Sequence, residues 1–168
     1  VSDLLSAAAG PSSIERVPAD LSELLNSALT SAAPRAEINK VQLVPDFPAE
    51  LPVFLDPQRI SQVIDNLLSN AVKYSPDGGK VTVRAWSTPE TLTFEISDTG
   101  IGMTQAEQAE VFTKFFRSGT SRKAAIPGVG LGLVISKNIV EAHGGTITLQ
   151  SEAGEGTVFT VRLPMQGQ

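Results

Sequence analysis

The chain has 168 residues, 41% hydrophobic and 18% charged, which suits one domain with a sizeable core and excludes wholesale disorder. Its 13 basic against 18 acidic residues give a net charge of −5, which argues against duplex DNA or an anionic membrane as the main partner. With no cysteine and one histidine, disulfides, thiol catalysis, Cys-ligated zinc and His-rich metal sites are excluded. There is no signal peptide and no apolar run near the length of a membrane span, so a soluble piece of something longer is expected.

Leu4, Leu5 and the alanines at 7–9 look like the end of a helix, stopped by Gly10-Pro11-Ser12-Ser13. Asp20 is a good N-cap for a helix carrying Leu21, Leu24, Leu25 and Leu29 at helical spacing, expected to reach about Ser31. Two short extended segments follow, Lys40 to Val44 and Val53 to Leu55, and the prolines between them suit sheet edges. Asp56-Pro57 then opens the strongest helix of the chain, cap followed by proline, running to about Tyr74 before Ser75-Pro76-Asp77-Gly78-Gly79.

Alternation predicts a hairpin from Lys80 to Trp86, with Val81, Val83 and Ala85 inward, and Thr91 to Ser97, with Leu92, Phe94 and Ile96 inward. The segment from Asp98 to Pro127 is long, polar and irregular, with one short helical piece near Gln105 to Val111. A second apolar-periodic helix is expected from Leu133 to Ala142, closed by His143-Gly144-Gly145. Strands Thr146 to Gln150 and Thr157 to Leu163 flank a turn at Glu152-Ala153-Gly154-Glu155-Gly156. Helices in one layer and mostly antiparallel strands in another make an α/β (α+β) two-layer sandwich.

Three constellations could carry chemistry. On the central helix Arg59, Gln62, Asn66, Asn70 and Lys73 share a stripe about 80° wide, opposite Ile60, Val63, Ile64, Leu67, Leu68 and Ala71. Such a stripe can be simply a solvated face, but asparagine is a mediocre helix former and two of them one turn apart argue against that. An amide oxygen is a hard neutral ligand suited to Mg²⁺, and the lysine one turn on suits a phosphate. Second, Asp98-Thr99-Gly100-Ile101-Gly102 ends an alternating strand, either as a bare turn or as a carboxylate aimed into a pocket whose glycines let backbone approach a ligand. Third, Gly128-Val129-Gly130-Leu131-Gly132 runs into a helix N-terminus, an anion site by geometry and dipole. It is neither a dinucleotide fingerprint nor a P-loop. Between the second and third lie Phe112, Phe115 and Phe116 beside Lys114, Arg117, Arg122 and Lys123, the makings of a cationic lid over a polyphosphate.

In order, Asn66-Leu67-Leu68-Ser69-Asn70-Ala71-Val72-Lys73-Tyr74, the Asp98 to Gly102 turn, Phe112 to Arg117, Gly128 to Leu133 and Gly154-Glu155-Gly156-Thr157 resemble the N, G1, F, G2 and G3 boxes of the ATP-binding catalytic domain of sensor histidine kinases. The resemblance covers about residues 18 to 164. It implies the Bergerat (GHKL) fold, helices on one face of a mixed, mostly antiparallel sheet. Residues 1–17 would then be dimerisation-helix tail and linker, and 18–166 the ATP-binding domain, with its lid at about 103–127.

The resemblance implies a role for each matching residue. Asn70 would coordinate Mg²⁺, with Asn66 one turn earlier. Lys73 would approach the phosphates and Tyr74 would lie against the base. Asp98 would accept from the adenine amino group, Thr157 assisting through water, with Gly100 and Gly102 admitting the base. Gly128, Val129, Gly130, Leu131 and Gly132 would close around the phosphates; Phe116 and Arg117 belong to the lid, Arg117 nearest the γ-phosphate. ATP and Mg²⁺ are thus the implied ligands. The implied partners are a histidine-bearing dimerisation domain of the same protein and a response regulator, with no nucleic acid. A cytoplasmic domain of a membrane-anchored receptor is the implied setting.

His143 lacks the acidic neighbour of the family's phosphoacceptor and reads as a capping or packing histidine. The same fold serves ATP-hydrolysing clamps, which place a glutamate base where this chain has Asn66, a residue with no basic lone pair. A nucleotide-binding interaction module without transfer activity is the remaining alternative.

Overall fold

A computed structural model of the chain describes residues 14–75, 78–100, 129–152 and 154–165; the side chains of Tyr74 and of positions 129–132 lie outside that description. The elements in chain order are β1 (Val17–Asp20), α1 (Leu21–Ile38), β2 (Gln42–Asp46), β3 (Pro52–Leu55), α2 (Pro57–Tyr74), β4 (Lys80–Ser87), β5 (Thr91–Asp98), α3 (Val129–Ala142), β6 (Thr146–Glu152) and β7 (Gly156–Pro164). Five strands form one sheet in the order β2-β4-β5-β7-β6, with β2–β4 parallel and the other pairings antiparallel. β2 sits at a sheet edge, where Pro45 removes a donor that an inner strand would need. A separate antiparallel ribbon joins β1 to β3.

Alternation decides which face of the sheet is covered. Val81, Val83, Ala85, Leu92, Phe94 and Ile96 are buried as their period-2 pattern requires, while Arg84 and Trp86 on the opposite face are exposed. Helices α1, α2 and α3 lie side by side, α2 against β5 and α3 against β6. The α2 residues Ile60, Val63, Ile64, Leu67 and Leu68 are at most 1% exposed and form the centre of the core. This is the two-layer sandwich expected from the sequence.

Helix α2 has the bounds its end signals give: the Asp56 carboxylate accepts from the Arg59 N–H at 3.1 Å, and Pro57 is the first helical residue. Three elements depart from the sequence reading, the first being β2, which runs over Gln42–Asp46 rather than Lys40 to Val44 because Lys40 is left-handed. Helix α1 passes through Pro34 and ends at Ile38 rather than near Ser31. The gain is burial of Ala36, and the end is a left-handed Lys40 (φ 59°), with the Val41 N–H bonded to Ala36 O at 2.8 Å, a terminus with no glycine to announce it. Helix α3 starts at Val129, four residues before the expected Leu133. The first turn of a helix needs no intrahelical N–H bonds, so glycines there interrupt nothing. The ribbon strand β1 was not foreseen; half of it is exposed and it lacks alternation.

The one histidine ties the helical layer together. His143, 2% exposed, accepts from the Asp56 N–H through Nε2 at 3.0 Å, and its Nδ1–H donates to Ile139 O at 2.8 Å. Each ring nitrogen thus has a fixed role, which requires the neutral ring. Burial, the largest influence, holds its pKa below the usual 6.5. The Asp56 carboxylate also accepts from the Glu15 N–H at 2.9 Å, so one node joins the lead-in to β1, the start of α2 and the end of α3. The packing reading of His143 is the one observed.

His143→Ala leaves the buried Asp56 N–H unpaired and is expected to destabilise the domain by about 1–3 kcal/mol, measured by urea denaturation at pH 8. Because the folded pKa is lowered, the histidine's contribution is lost as pH falls below 6.5, so the variant loses that part of the acid-side slope.

Candidate nucleotide site

The stripe on α2 is not a solvated face. Asn70 is only 9% exposed, and Arg59, Gln62 and Asn66 are half-buried, whereas Gln58, Asp65 and Ser69 take the solvent side. The stripe therefore runs along the margin between core and surface, facing α3. Asn66 Nδ2 donates to Ser136 Oγ at 3.2 Å, and Ser136 is wholly buried on α3. Among the described residues no side-chain partner holds the Asn70 amide. Lys73 closes the stripe at an exposed position one turn on.

Asp98 ends β5 with 8% exposure. Its Oδ1 accepts from the Gly100 N–H at 2.8 Å, and the Thr157 N–H also bonds the carboxylate. Burial outweighs these two bonds and pushes its pKa up to about 6. Directly opposite, β7 presents Thr157, 6% exposed, in register with Asp98. Gly156 beside it has φ +113°, and a Cβ there would meet the Asp98 carbonyl oxygen at 2.1 Å, so only glycine lets β7 start this close to β5.

The N–H groups of a helix's first turn lack intrahelical partners, and in α3 these include Val129, Gly130 and Leu131. They form a donor array at a positive dipole end. Among the described residues there is no cluster of three His, Cys, Asp or Glu to hold a metal.

The sequence profile described as "Histidine kinase-, DNA gyrase B-, and HSP90-like ATPase" matches residues 55–167. The chain belongs to this ATPase family. The circadian input-output histidine kinase CikA of Synechococcus elongatus is 40% identical over 167 residues, covering 98% of this chain and 22% of that protein. The chain thus spans about a fifth of that relative's length. The mycobacterial sensor histidine kinase MprB superposes with a TM-score of 0.79 at 30% identity, covering 90% of this chain and 100% of that one. Full-length ShkA in complex with AMPPNP superposes at 0.78 with 26% identity, over 92% of this chain and 32% of that one.

Within the ATPase family these relatives are histidine kinases, and the mixed five-stranded sheet covered by helices is their Bergerat fold. The structure brings Asp98 and Thr157 into one row, buries Gly100 beside them, and sets Asn66 against α3. Gly102, Phe116, Arg117, Gly128, the lid at about 103–127 and the helix tail before residue 14 lie outside the described residues, as does the Tyr74 side chain. Two residues escaped the sequence reading. Ser136 and Ser151 are isolated serines in a helix and a strand, and only their partners, Asn66 and Thr157, make them notable. Among the described residues no helix is long and apolar enough to cross a membrane.

The raised pKa of Asp98 fixes a sign. The folded state holds the proton more tightly than the unfolded chain, so ionisation weakens the fold as pH rises through about 6. Between pH 5 and 8 wild type should lose about 1 kcal/mol of stability relative to Asp98→Asn, read from paired denaturation curves. Parallel curves at both pH values would refute the buried-carboxylate assignment.

Proposed function

We propose that this chain is the catalytic domain of a sensor histidine kinase, which binds Mg-ATP and delivers its γ-phosphoryl group to a histidine on a separate dimerisation domain. The observation that carries the reading is the nearly buried Asp98 carboxylate, held by the Gly100 N–H and facing Thr157. An ionised carboxylate kept at this cost suits a ligand that brings a hydrogen-bond donor, as the adenine amino group does. The AMPPNP complex of ShkA supports an adenine nucleotide on this fold.

In this reading Asp98 accepts from the adenine amino group and Thr157 assists. The N–H groups at the start of α3, Val129 to Leu131, receive phosphate oxygens, and Lys73 offers a cation from α2. The amide oxygen of Asn70 fits Mg²⁺, because that ion keeps most of its ligands from water and phosphate and needs only one or two from protein. When bound, the ion would neutralise developing phosphate charge. The lid residues Phe116 and Arg117, with Gly102, Gly128 and Tyr74, are assigned on the motif alone. Transfer breaks the bond from the γ-phosphorus to the β–γ bridging oxygen and forms a phosphorus–nitrogen bond to the acceptor imidazole; ADP leaves. The domain's task is to hold the nucleotide in line for that attack.

His143 is unsuited as acceptor, since it is buried and both ring nitrogens are engaged. The acceptor is therefore assigned to another domain, and a response regulator to the step after it. Asn66 as a hydrogen-bond donor to Ser136 offers no base for water, which weighs against the hydrolysing clamps of the same family. A cytoplasmic setting follows from the same reading.

With γ-labelled ATP the isolated chain is expected neither to label itself nor to release phosphate appreciably, but to place acid-labile phosphate on an added cognate dimerisation domain. Transfer should be slow without the tether that otherwise supplies mM effective concentration. Asn70→Ala should abolish it; transfer at the wild-type rate would return the α2 stripe to a structural role. Affinity for ADP should fall as pH drops through about 6, where protonation of Asp98 removes its charge and weakens it as an acceptor, as calorimetry across that range would show.

A further inference from the structure

The sheet register extends the Asp98–Thr157 row by one strand. Thr157 pairs with Asp98 on β5 and with Ser151 on β6, so three polar side chains stand side by side at one end of the sheet. Ser151 Oγ donates to the Gly156 carbonyl at 2.9 Å. It also lies 2.8 Å from Thr157 Oγ1. A hydroxyl carries one proton. With the Ser151 proton on Gly156, the bond between the two hydroxyls is made by the proton of Thr157. The anchor is rigid, because Gly156 is wedged against the Asp98 backbone in a conformation that only glycine tolerates.

The consequence concerns what Thr157 can offer a ligand. Its proton points to Ser151, so only lone pairs of Oγ1 remain for the crevice. The carboxylate of Asp98, already receiving the Gly100 N–H, is likewise an acceptor. We infer that Ser151 is a positioning residue for base selection: by taking the Thr157 proton it makes the Asp98–Thr157 row acceptor-only, favouring a 6-amino purine over a 6-oxo purine. This rests on the nucleotide reading of the site and adds to it a residue that touches no base.

Removing the Ser151 hydroxyl frees Thr157 to rotate and to donate, which a guanine carbonyl would accept. The test is calorimetric affinity for Mg-ADP and Mg-GDP in wild type, Ser151→Ala, Ser151→Thr, Thr157→Val and the Ser151→Ala/Thr157→Val double variant, with Tm recorded without nucleotide. Wild type should prefer ADP, and Ser151→Ala should lower the ADP:GDP affinity ratio about 3- to 10-fold, the worth of one hydrogen bond. Ser151→Thr should restore the wild-type ratio. In the Thr157→Val background the second substitution should leave the ratio unchanged, because Ser151 acts through Thr157. A merely structural serine would lower Tm and weaken both nucleotides equally; that result, or an unchanged ratio, overturns the inference while leaving Asp98 as the base reader. No preference for ADP in wild type would overturn both.

Discussion

The hydrogen bond from the Asp56 backbone to His143 Nε2 holds the helical layer in the arrangement that the site requires. It joins the first residue before α2 to the first residue after α3, 87 positions apart, and the same imidazole caps the end of α3 through Ile139. Two helices fixed at opposite ends of the chain segment between them cannot slide along one another. Their contact at Asn66 and Ser136 then falls where the α2 stripe meets the buried face of α3. A neutral histidine suits this task because one ring nitrogen donates while the other accepts. Lysine and arginine could supply only donors.

Two polar groups of the candidate site are held at a cost. Asp98 and Asn70 lie where apolar side chains would strengthen the core, and burial drives the Asp98 pKa up despite two backbone donors. The buried α2 face, with Phe94 and Ile96 on β5 beneath it, supplies the apolar contact that lets the fold carry these groups. Asp98 and His143 also respond to acid in opposite senses: protonation of Asp98 favours the folded state and protonation of His143 favours the unfolded one.

In the proposed reading the sheet adds selectivity through proton inventory as well as the charge of Asp98. In the row Asp98, Thr157 and Ser151, each hydrogen bond determines the direction of the next, ending at a backbone carbonyl that cannot turn. Such a chain transmits the orientation of one hydroxyl to a place that its anchor never touches. This is how a strand at the edge of the sheet can bear on a ligand bound beyond its neighbour.

The sequence alone determined the elements whose causes are local. Helix α2 was legible residue by residue because its cap, its first-turn proline and its apolar stripe lie within 18 residues, and the β4–β5 hairpin because alternation states which side is buried. The ordered motifs identified the family, and with it the fold. Tertiary structure decided the rest. Periodicity placed Asn66 and Asn70 at one angle on a helix but not what stood opposite, so a solvated face and a site looked alike. Burial of Ala36 carried α1 past Pro34 against its local signals. Ser136, Ser151 and His143 owe their roles to partners on other elements, Asn66 lying 70 residues from Ser136. Local propensity acts through neighbours a turn or two away, whereas the meaning of a lone polar side chain depends on whichever distant group the fold sets against it.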